Sequence, residues 1–414
     1  MRRRTKWLIG SLATLVGLPV ALVGGVLVFA NTDAGRRTIM SMTASLSGGI
    51  VRLEGLSGRF PDSLRVARVQ VADTQGVYLS INGLALDWSP TRLLSALADV
   101  DSVSADLLRF DRLPVASSNA SSGSTSFVLP VRVRIGHLHV ARAEIGAAVA
   151  GHAASLAIDG SGAADSLQSG QARLTITTGG STPDRYTVDA RLTEDMIDAT
   201  LAVREQPNGL LAGMASLPDL GAIAADATVT GPMTALATRL SVTAGPLQAK
   251  LDGTLNAAAM TGDIKLSASA PAMSPRPDLG WQSVTLNAAV TGALTAPDGR
   301  GTLTIAGLAA AGASLHSIRA DFTGNAGQAN IKAQIDGLRI PGPAPDLFAN
   351  KPFALDVSAR LDQPDRPVQF ALTHALLSAT GSARTGGAPS ADVILTIPAL
   401  APFARLGGVD LTGR

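Results

Sequence analysis

The sequence predicts a mainly β protein: an N-terminal transmembrane helix followed by an elongated, curled antiparallel β-sheet. Three observations predict it. Residues 7–30 carry no charge, the remainder repeats apolar and polar residues with a period of two, and short glycine-containing turns separate the runs.

Composition narrows the classes. At 414 residues the chain exceeds the roughly 250 to 300 that one compact core usually holds. Its apolar fraction is 46%, yet it has only 3 Trp, 2 Tyr and 9 Phe, so any apolar surface is built from Leu, Ile, Val and Ala. Net charge is +2, and Arg2, Arg3, Arg4 and Lys6 all precede the uncharged run. Subtracting these four from 34 basic residues leaves 30 against 32 acidic ones, so the body has no basic footprint for a phosphate backbone and no nucleic acid is expected as a partner. The absence of cysteine excludes thiolate catalysis, disulfides and zinc-thiolate sites.

A basic tail, residues 1–6, leads into the predicted anchor at 7–30. As a helix this stretch would measure about 36 Å, against a hydrocarbon core of about 30 Å. Its membrane-facing residues are Trp7, Leu8, Ile9, Leu12, Leu15, Val16, Leu18, Val20, Leu22, Val23, Val26, Leu27, Val28 and Phe29. A cleaved signal peptide would have an apolar stretch of roughly 7 to 15 residues and a small-residue cleavage site, so an uncleaved single-pass anchor is favoured. The basic tail then stays cytoplasmic and the body lies across the membrane.

Residues 31–115 read as an N-terminal β region with short helices. "TDAGRRTIMSMTASLSGG" places Ile39, Met42 and Leu46 at helical spacing before a Gly48-Gly49 stop, which predicts a short helix near the membrane surface. Alternating runs follow, interrupted at Pro61-Asp62 and at "DTQG". In "NGLALDWSP", Ile81, Leu84 and Leu86 are the apolar positions of a strand, Ser89 is a helix N-cap and Pro90 a first helical residue, with Leu93, Leu94 and Leu97 as the stripe. Asp87 and Trp88 therefore mark a corner, a reading favoured over an acid–base role because no histidine is near in sequence.

The serine-rich stretch 116–126 is predicted to be a loop or linker and the clearest domain boundary. From 127 to 414 the alternation hardly stops, and at about 11 residues per strand and turn it predicts roughly 26 strands. Short "TG", "DG" and "PDGRG" turns make neighbours antiparallel. Each strand then has a dry side covered by a second sheet, by lipid in an outer-membrane barrel, or by the sheet's own curl. Too few aromatics exist for barrel girdles, and the thin aliphatic interior favours the curled sheet. The groove-lining residues expected on this side are Leu247, Leu251, Leu255, Ile264, Leu266, Val284, Leu286, Val290, Leu303, Ile305, Leu355, Val357, Val393 and Leu395.

The chain offers no nucleophile elbow, no phosphate-cradling loop with Lys and no H-E-x-x-H pair, its acidic residues are scattered singly on polar faces, and no enzyme or cofactor is expected. Of the histidines at 137, 139, 152, 316 and 374, His137 and His139 in "IGHLHV" share a strand face at a spacing that chelates metals. With no carboxylate near them in sequence, they read as exposed strand polars.

The segments "NTDAGRR" and "LEGLSGRFPDSLRVARVQVADTQGVYLSINGLALDWSPTRLL" resemble the amino-terminal region of the TamB-type, AsmA-like family, and "VTGALTAPDGRGTLTIAGLAAAGASLHSIRADFTG" is similar to its repeats. Tyr78 stands where the family commonly has Trp, and family members are several times longer. The resemblance implies an inner-membrane-anchored periplasmic protein with a β-taco groove that moves phospholipid between the membranes, its partners being acyl chains and the inner membrane. The alternative it implies is a scaffold for outer-membrane protein assembly with an Omp85-type, TamA-like partner. The family's contact to that partner is ascribed to a C-terminal domain that this sequence lacks. Because the sequence breaks off at "GGVDLTGR", in what reads as mid-strand, the groove is expected to be incomplete at its C-terminus.

Overall fold

The computed structural model describes residues 28–115 and 131–404, apart from 167, 216, 296, 326 and 387–388. Strands account for 63% of the described residues, so the fold is mainly β. The expected anchor lies outside the described residues except for Val28, Phe29 and Ala30, which are helical. Among the described residues no helix is long and apolar enough to cross a membrane. The chain forms two compact units that divide at Glu194/Asp195.

The first unit opens with helix α1, Asp33–Leu46, started by Thr32, whose side chain accepts a hydrogen bond from the Gly35 N–H. Gly48 and Gly49 end it with positive φ angles of 62° and 82°, the left-handed backbone that glycine adopts without penalty. Of its apolar stripe Ile39 is half-buried, whereas Met42 and Leu46 are exposed, so the C-terminal part of the stripe is open among the described residues.

Nine strands follow: β1 Val51–Arg59, β2 Ser63–Asp73, β3 Gly76–Ser89, β4 Leu97–Ala105, β5 Leu107–Phe110, β6 Arg132–Ile145, β7 Ala154–Ser166, β8 Ser169–Thr178 and β9 Arg185–Leu192. β1, β2 and β3 form an antiparallel meander. β3 pairs with β4 near its end and with β5 near its start, and both in turn lie parallel to β6. β6 to β9 resume antiparallel order. The parallel step departs from the all-antiparallel expectation. A parallel neighbour needs a crossover of about a dozen residues or more, and the connection from Asp111 to Val131 is long enough. The serine-rich stretch 116–126 itself lies outside the described residues, but the strands flanking its connection are neighbours in one sheet, so the compact units divide elsewhere.

The corner after β3 differs in detail from expectation. Pro90–Ser95 forms a 3₁₀ turn, Ser89 makes no side-chain cap bond, and Leu97 begins β4. Leu94 is 94% exposed, so no apolar stripe is buried here and nothing favours extending the turn into an α-helix. Trp88 instead anchors the corner: its indole Nε1–H donates to the Pro61 carbonyl, and Asn31 exchanges two hydrogen bonds with Phe60 in the same turn.

The second unit is a meander of thirteen strands in one sheet. In chain order the strands are β10 Met196–Glu205, β11 Ile223–Pro232, β12 Leu236–Ala244, β13 Leu247–Asn256, β14 Thr261–Ala270, β15 Met273–Arg276, β16 Leu279–Trp281, β17 Ser283–Ala293, β18 Asp298–Ala306, β19 Ala309–Ala310, β20 Ala313–Ser314, β21 Ser317–Asn325, β22 Gln328–Asp336, β23 Phe353–Arg360, β24 Pro367–His374, β25 Leu377–Arg384 and β26 Ser390–Thr396. β15, β16, β19 and β20 make a separate small sheet, and the others pair antiparallel in chain order. From residue 127 onward the described strands number 21, β6 to β26, below the expected 26. Segments 206–222 and 337–352 hold none of these strands, whereas 271–282 and 307–316 hold the four short strands of the small sheet. Four long insertions, 206–222, 271–282, 307–316 and 337–352, all leave the same end of the strands, while the other end is closed by connections of two to six residues.

The insertions bury the strand ends beneath them. Val203, Glu205, Ala244, Ala270 and Phe353 are buried, together with Ala212 and Phe348 from the insertions. Phe348 packs against Phe353, His374 and Phe403 with ring centroids 5.4, 5.4 and 6.1 Å away.

In the first unit, the hairpin between β2 and β3 is held by Asp73, whose carboxylate accepts from both terminal nitrogens of Arg112 at 2.7 and 2.5 Å and from the Val115 N–H at 2.8 Å. Those hydrogen bonds, Arg112 foremost, hold the Asp73 carboxyl well below the usual carboxylate range. Its stabilising effect is therefore present above pH about 4 and lost as the pH falls further. Urea midpoints of the wild type should fall between pH 6 and pH 3 more steeply than those of Asp73→Asn. Identical slopes would remove this carboxylate from the fold's acid response.

Candidate functional site: the apolar face of the second unit

Strict alternation within each strand becomes a continuous surface only if the strands pair in a register that aligns their apolar positions, since a one-residue slip sends every side chain to the opposite face. The observed register does align them. Across the thirteen strands, cross-strand partners run Val203, Ala225, Val242, Ala249, Ala268, Leu286, Leu303, Ala320, Ala333, Leu355, Leu372, Ala379 and Leu395, without a polar residue. The next row on the same face runs Leu201, Ala227, Leu240, Leu251, Leu266, Ala288, Gly301, Phe322, Ile331, Val357, Phe370, Gly381 and Val393.

All fourteen groove positions expected from sequence lie on this face. Leu247, Val284 and Ile305 sit toward the insertion end, and Leu255, Ile264 and Val290 toward the short-turn end. Phe322, Ile331, Phe370 and Leu372 belong to the face as well and were missed. Their signal is the same alternation, in "SIRADF", "NIKAQI" and "VQFAL". At Phe370 the aromatic ring lies over Gly381 on the neighbouring strand, where a Cβ would come within 2.7 Å of it. A glycine is needed there so that the ring can lie flat.

Exposure distinguishes this face from a packed core. Leu251, Leu266, Leu286, Leu303, Phe322, Ile331, Leu355, Val357 and Phe370 are all half-buried. In a two-layer sandwich such residues would be sealed by the opposing sheet. Val393 and Leu395, on the last strand, are more open still, at 60% and 59% exposure.

The opposite face is polar and open. Ser241, Lys250, Ser267, Asn287, Thr302, Asp321, Lys332 and Asp356 follow one another across the strands and are all exposed. Two depressions of about 570 and 550 Å³ lie on this polar side. The first is bordered by Lys332, Asp356, Gln369 and Asp392, the second by Lys250, Asp252, Lys265, Arg300 and Asp321. They fit the geometry of a twisted sheet, which is concave along one diagonal on each face.

One acidic residue departs from the expectation that all carboxylates occupy polar faces. Glu205 shares the apolar row end with Ile223 and is only 2% exposed. Its two carboxylate oxygens accept from the N–H groups of Leu211 and Ala212, each at 3.0 Å, at the start of the short helix α3, Leu210–Met214 (α2 being Ala147–Ala150). Those donors compensate the desolvated charge. Asp87, in the first unit, accepts from Ser63 Oγ at 2.7 Å, Arg65 at 2.9 and 3.1 Å, and Ser102 Oγ at 3.4 Å. The Arg65 guanidinium and then the Ser63 hydroxyl lower its pKa, and these partners fix the corner after β3.

Truncating a large side chain on a sealed face costs about 2 to 5 kcal/mol, because a cavity remains. On the half-open face Leu303→Ala should cost only about 1 to 2 kcal/mol in urea unfolding, since water or another apolar group reaches the gap. A loss above about 3 kcal/mol would mean that the face is packed.

No family model, no curated protein and no solved structure matches this chain.

Proposed function

We propose that the chain is an inner-membrane-anchored periplasmic protein whose second unit carries phospholipid acyl chains on its apolar face, serving lipid transfer between inner and outer membranes and outer-membrane biogenesis. The observation that carries this reading is the unbroken, half-open apolar face across thirteen strands. At about 4.8 Å per strand it extends roughly 60 Å, twice the thickness of a hydrocarbon core of about 30 Å. Several acyl tails fit along it.

The energetics favour such a surface. Exposing two chains of about 16 carbons to water costs on the order of 25 kcal/mol at about 0.8 kcal/mol per methylene, which makes free diffusion prohibitively rare. A continuous aliphatic face removes most of that barrier. It needs neither a titratable group nor a side-chain-specific contact, so small residues such as Ala249, Ala268 and Gly301 serve beside leucines. The uncharged stretch at 7–30, the basic tail before it and the exposed Met42 and Leu46 on α1 support placement at a membrane. The resemblance to the AsmA-like family supports the same location.

A second reading, a scaffold for outer-membrane proteins, is favoured by β26. All seven of its residues are exposed, and among the described residues it pairs only with β25. Such an edge accepts an incoming strand by β-augmentation, the type of contact an Omp85-type partner or its client would make.

Photo-crosslinking separates the readings. A probe at Leu286 or Leu303 should capture phospholipid, and one at Asn287 or Thr302 should not; equal labelling of the two faces contradicts lipid carriage. Crosslinks from β26 to client polypeptide with no lipid recovered would favour the scaffold. Leu286→Asp, in a folded protein, should abolish lipid transfer between vesicles, and unimpaired transfer would remove the face from the mechanism.

A further inference from the structure

Outside the apolar face, folding assembles a cluster that sequence spacing does not reveal. His137 and His139 lie two residues apart on β6, which puts both imidazoles on one side of the sheet. Their rings are stacked, with centroids 6.1 Å apart and planes inclined by 10°. β7 then supplies the carboxylate that the local sequence lacks: Asp159 is the register partner of His139, and its Oδ1 lies 2.7 Å from His139 Nδ1. Donor atoms of His137, His139 and Asp159 all fall within 4.8 Å of one another.

We infer that His137, His139 and Asp159 form a binding site for a divalent transition metal of the zinc class. Two imidazoles and a carboxylate are the N/O donor set of borderline cations, whose bonds of about 2.0 to 2.2 Å place donors roughly 3 to 3.5 Å apart. The His139–Asp159 contact of 2.7 Å is already this close, and the His137 donor lies within 4.8 Å of both. Both strands are part of one ladder, so the donors are held by the sheet and not by a mobile loop. His139 and Asp159 are 41% and 51% exposed as side chains, leaving room for water in the remaining coordination positions.

The ladder itself indicates what a cation would do. The β6–β7 register shifts between Ile135 and Leu138 and again between Val140 and Ala143, so the His139–Asp159 pair stands between two irregularities. Gly136 is tightly placed at the first of them, where a Cβ would come within 2.8 Å of the Asp101 carbonyl. A metal bonded to both strands here acts as a clip that fixes the short regular stretch between the bulges.

The test uses the full chain, purified in detergent and stripped of metal with EDTA, and titrated calorimetrically with ZnCl₂ and separately with NiCl₂. One equivalent should bind, and His137→Ala and His139→Ala should each weaken binding by at least about 10-fold to 100-fold, the loss that removing a mere orienting partner of a ligand already causes. Asp159→Asn should weaken it too, whereas His152→Ala, on the loop after β6, should bind as the wild type does. Thermal midpoints in EDTA report whether each variant is folded, and zinc should raise the midpoint of the wild type but not of the His137→Ala/His139→Ala double variant. No saturable binding below about 100 µM, or wild-type binding by the folded double variant, would overturn the site.

Discussion

Register is the constraint on which the second unit depends. Each of its strands is amphipathic with a period of two, and that pattern has meaning only through pairing. Leu286 faces Leu303, and Leu355 faces Leu372, because the meander connections place them opposite one another. Slipping β22 or β23 by one residue would put Lys332 or Asp356 among leucines, at a cost far above the difference between alternative turn conformations. The short connections at one end of the strands and the alternating chemistry along them enforce the same alignment. A surface built this way can be long without being thick, since each strand needs only its two neighbours.

That economy shows in the exposure pattern. Protein cores usually gain stability by sealing large side chains between layers, and among the described residues this unit does so mainly near the insertion end, with Leu236 buried at the other. At the insertion end Phe348 and Phe353 pack together, and Glu205 is buried against the amide groups of α3. Elsewhere the leucines and phenylalanines of the apolar face stay half open, so backbone pairing and cross-strand contacts carry most of the cohesion. The insertions, all emerging at one end, give the face an asymmetric border: one side overlaid by additional structure, the other bounded by bare turns.

Much of this architecture was readable from sequence because alternation is a local signal. Leu247 to Leu255, Ile264 to Ala268, Val284 to Val290 and Phe353 to Ala359 are identifiable as strands with a common dry side; the structure pairs the first three as consecutive neighbours and sets the fourth on the same face, with three strands between. What was not readable required non-local information. The parallel docking of β6 against β4 and β5 depends on where a long connection returns. Glu205 looked like any strand carboxylate until the helix that receives it came into view. Asp159 lies twenty residues from His139, so the cluster exists only once β6 and β7 pair. The corner after β3 erred differently: Ser89 and Pro90 are good helix-start residues, but with Leu94 facing solvent nothing stabilises more than a single turn.

The central claim is that the apolar face accommodates hydrocarbon instead of a second protein layer. Its most direct measurement is quantitative phospholipid analysis of the detergent-purified protein after extensive washing, scored as moles of lipid per mole of chain. A face of this length predicts several phospholipids per chain, reduced when charged residues are introduced along it. Recovery of essentially no phospholipid from the folded wild-type protein would contradict the account.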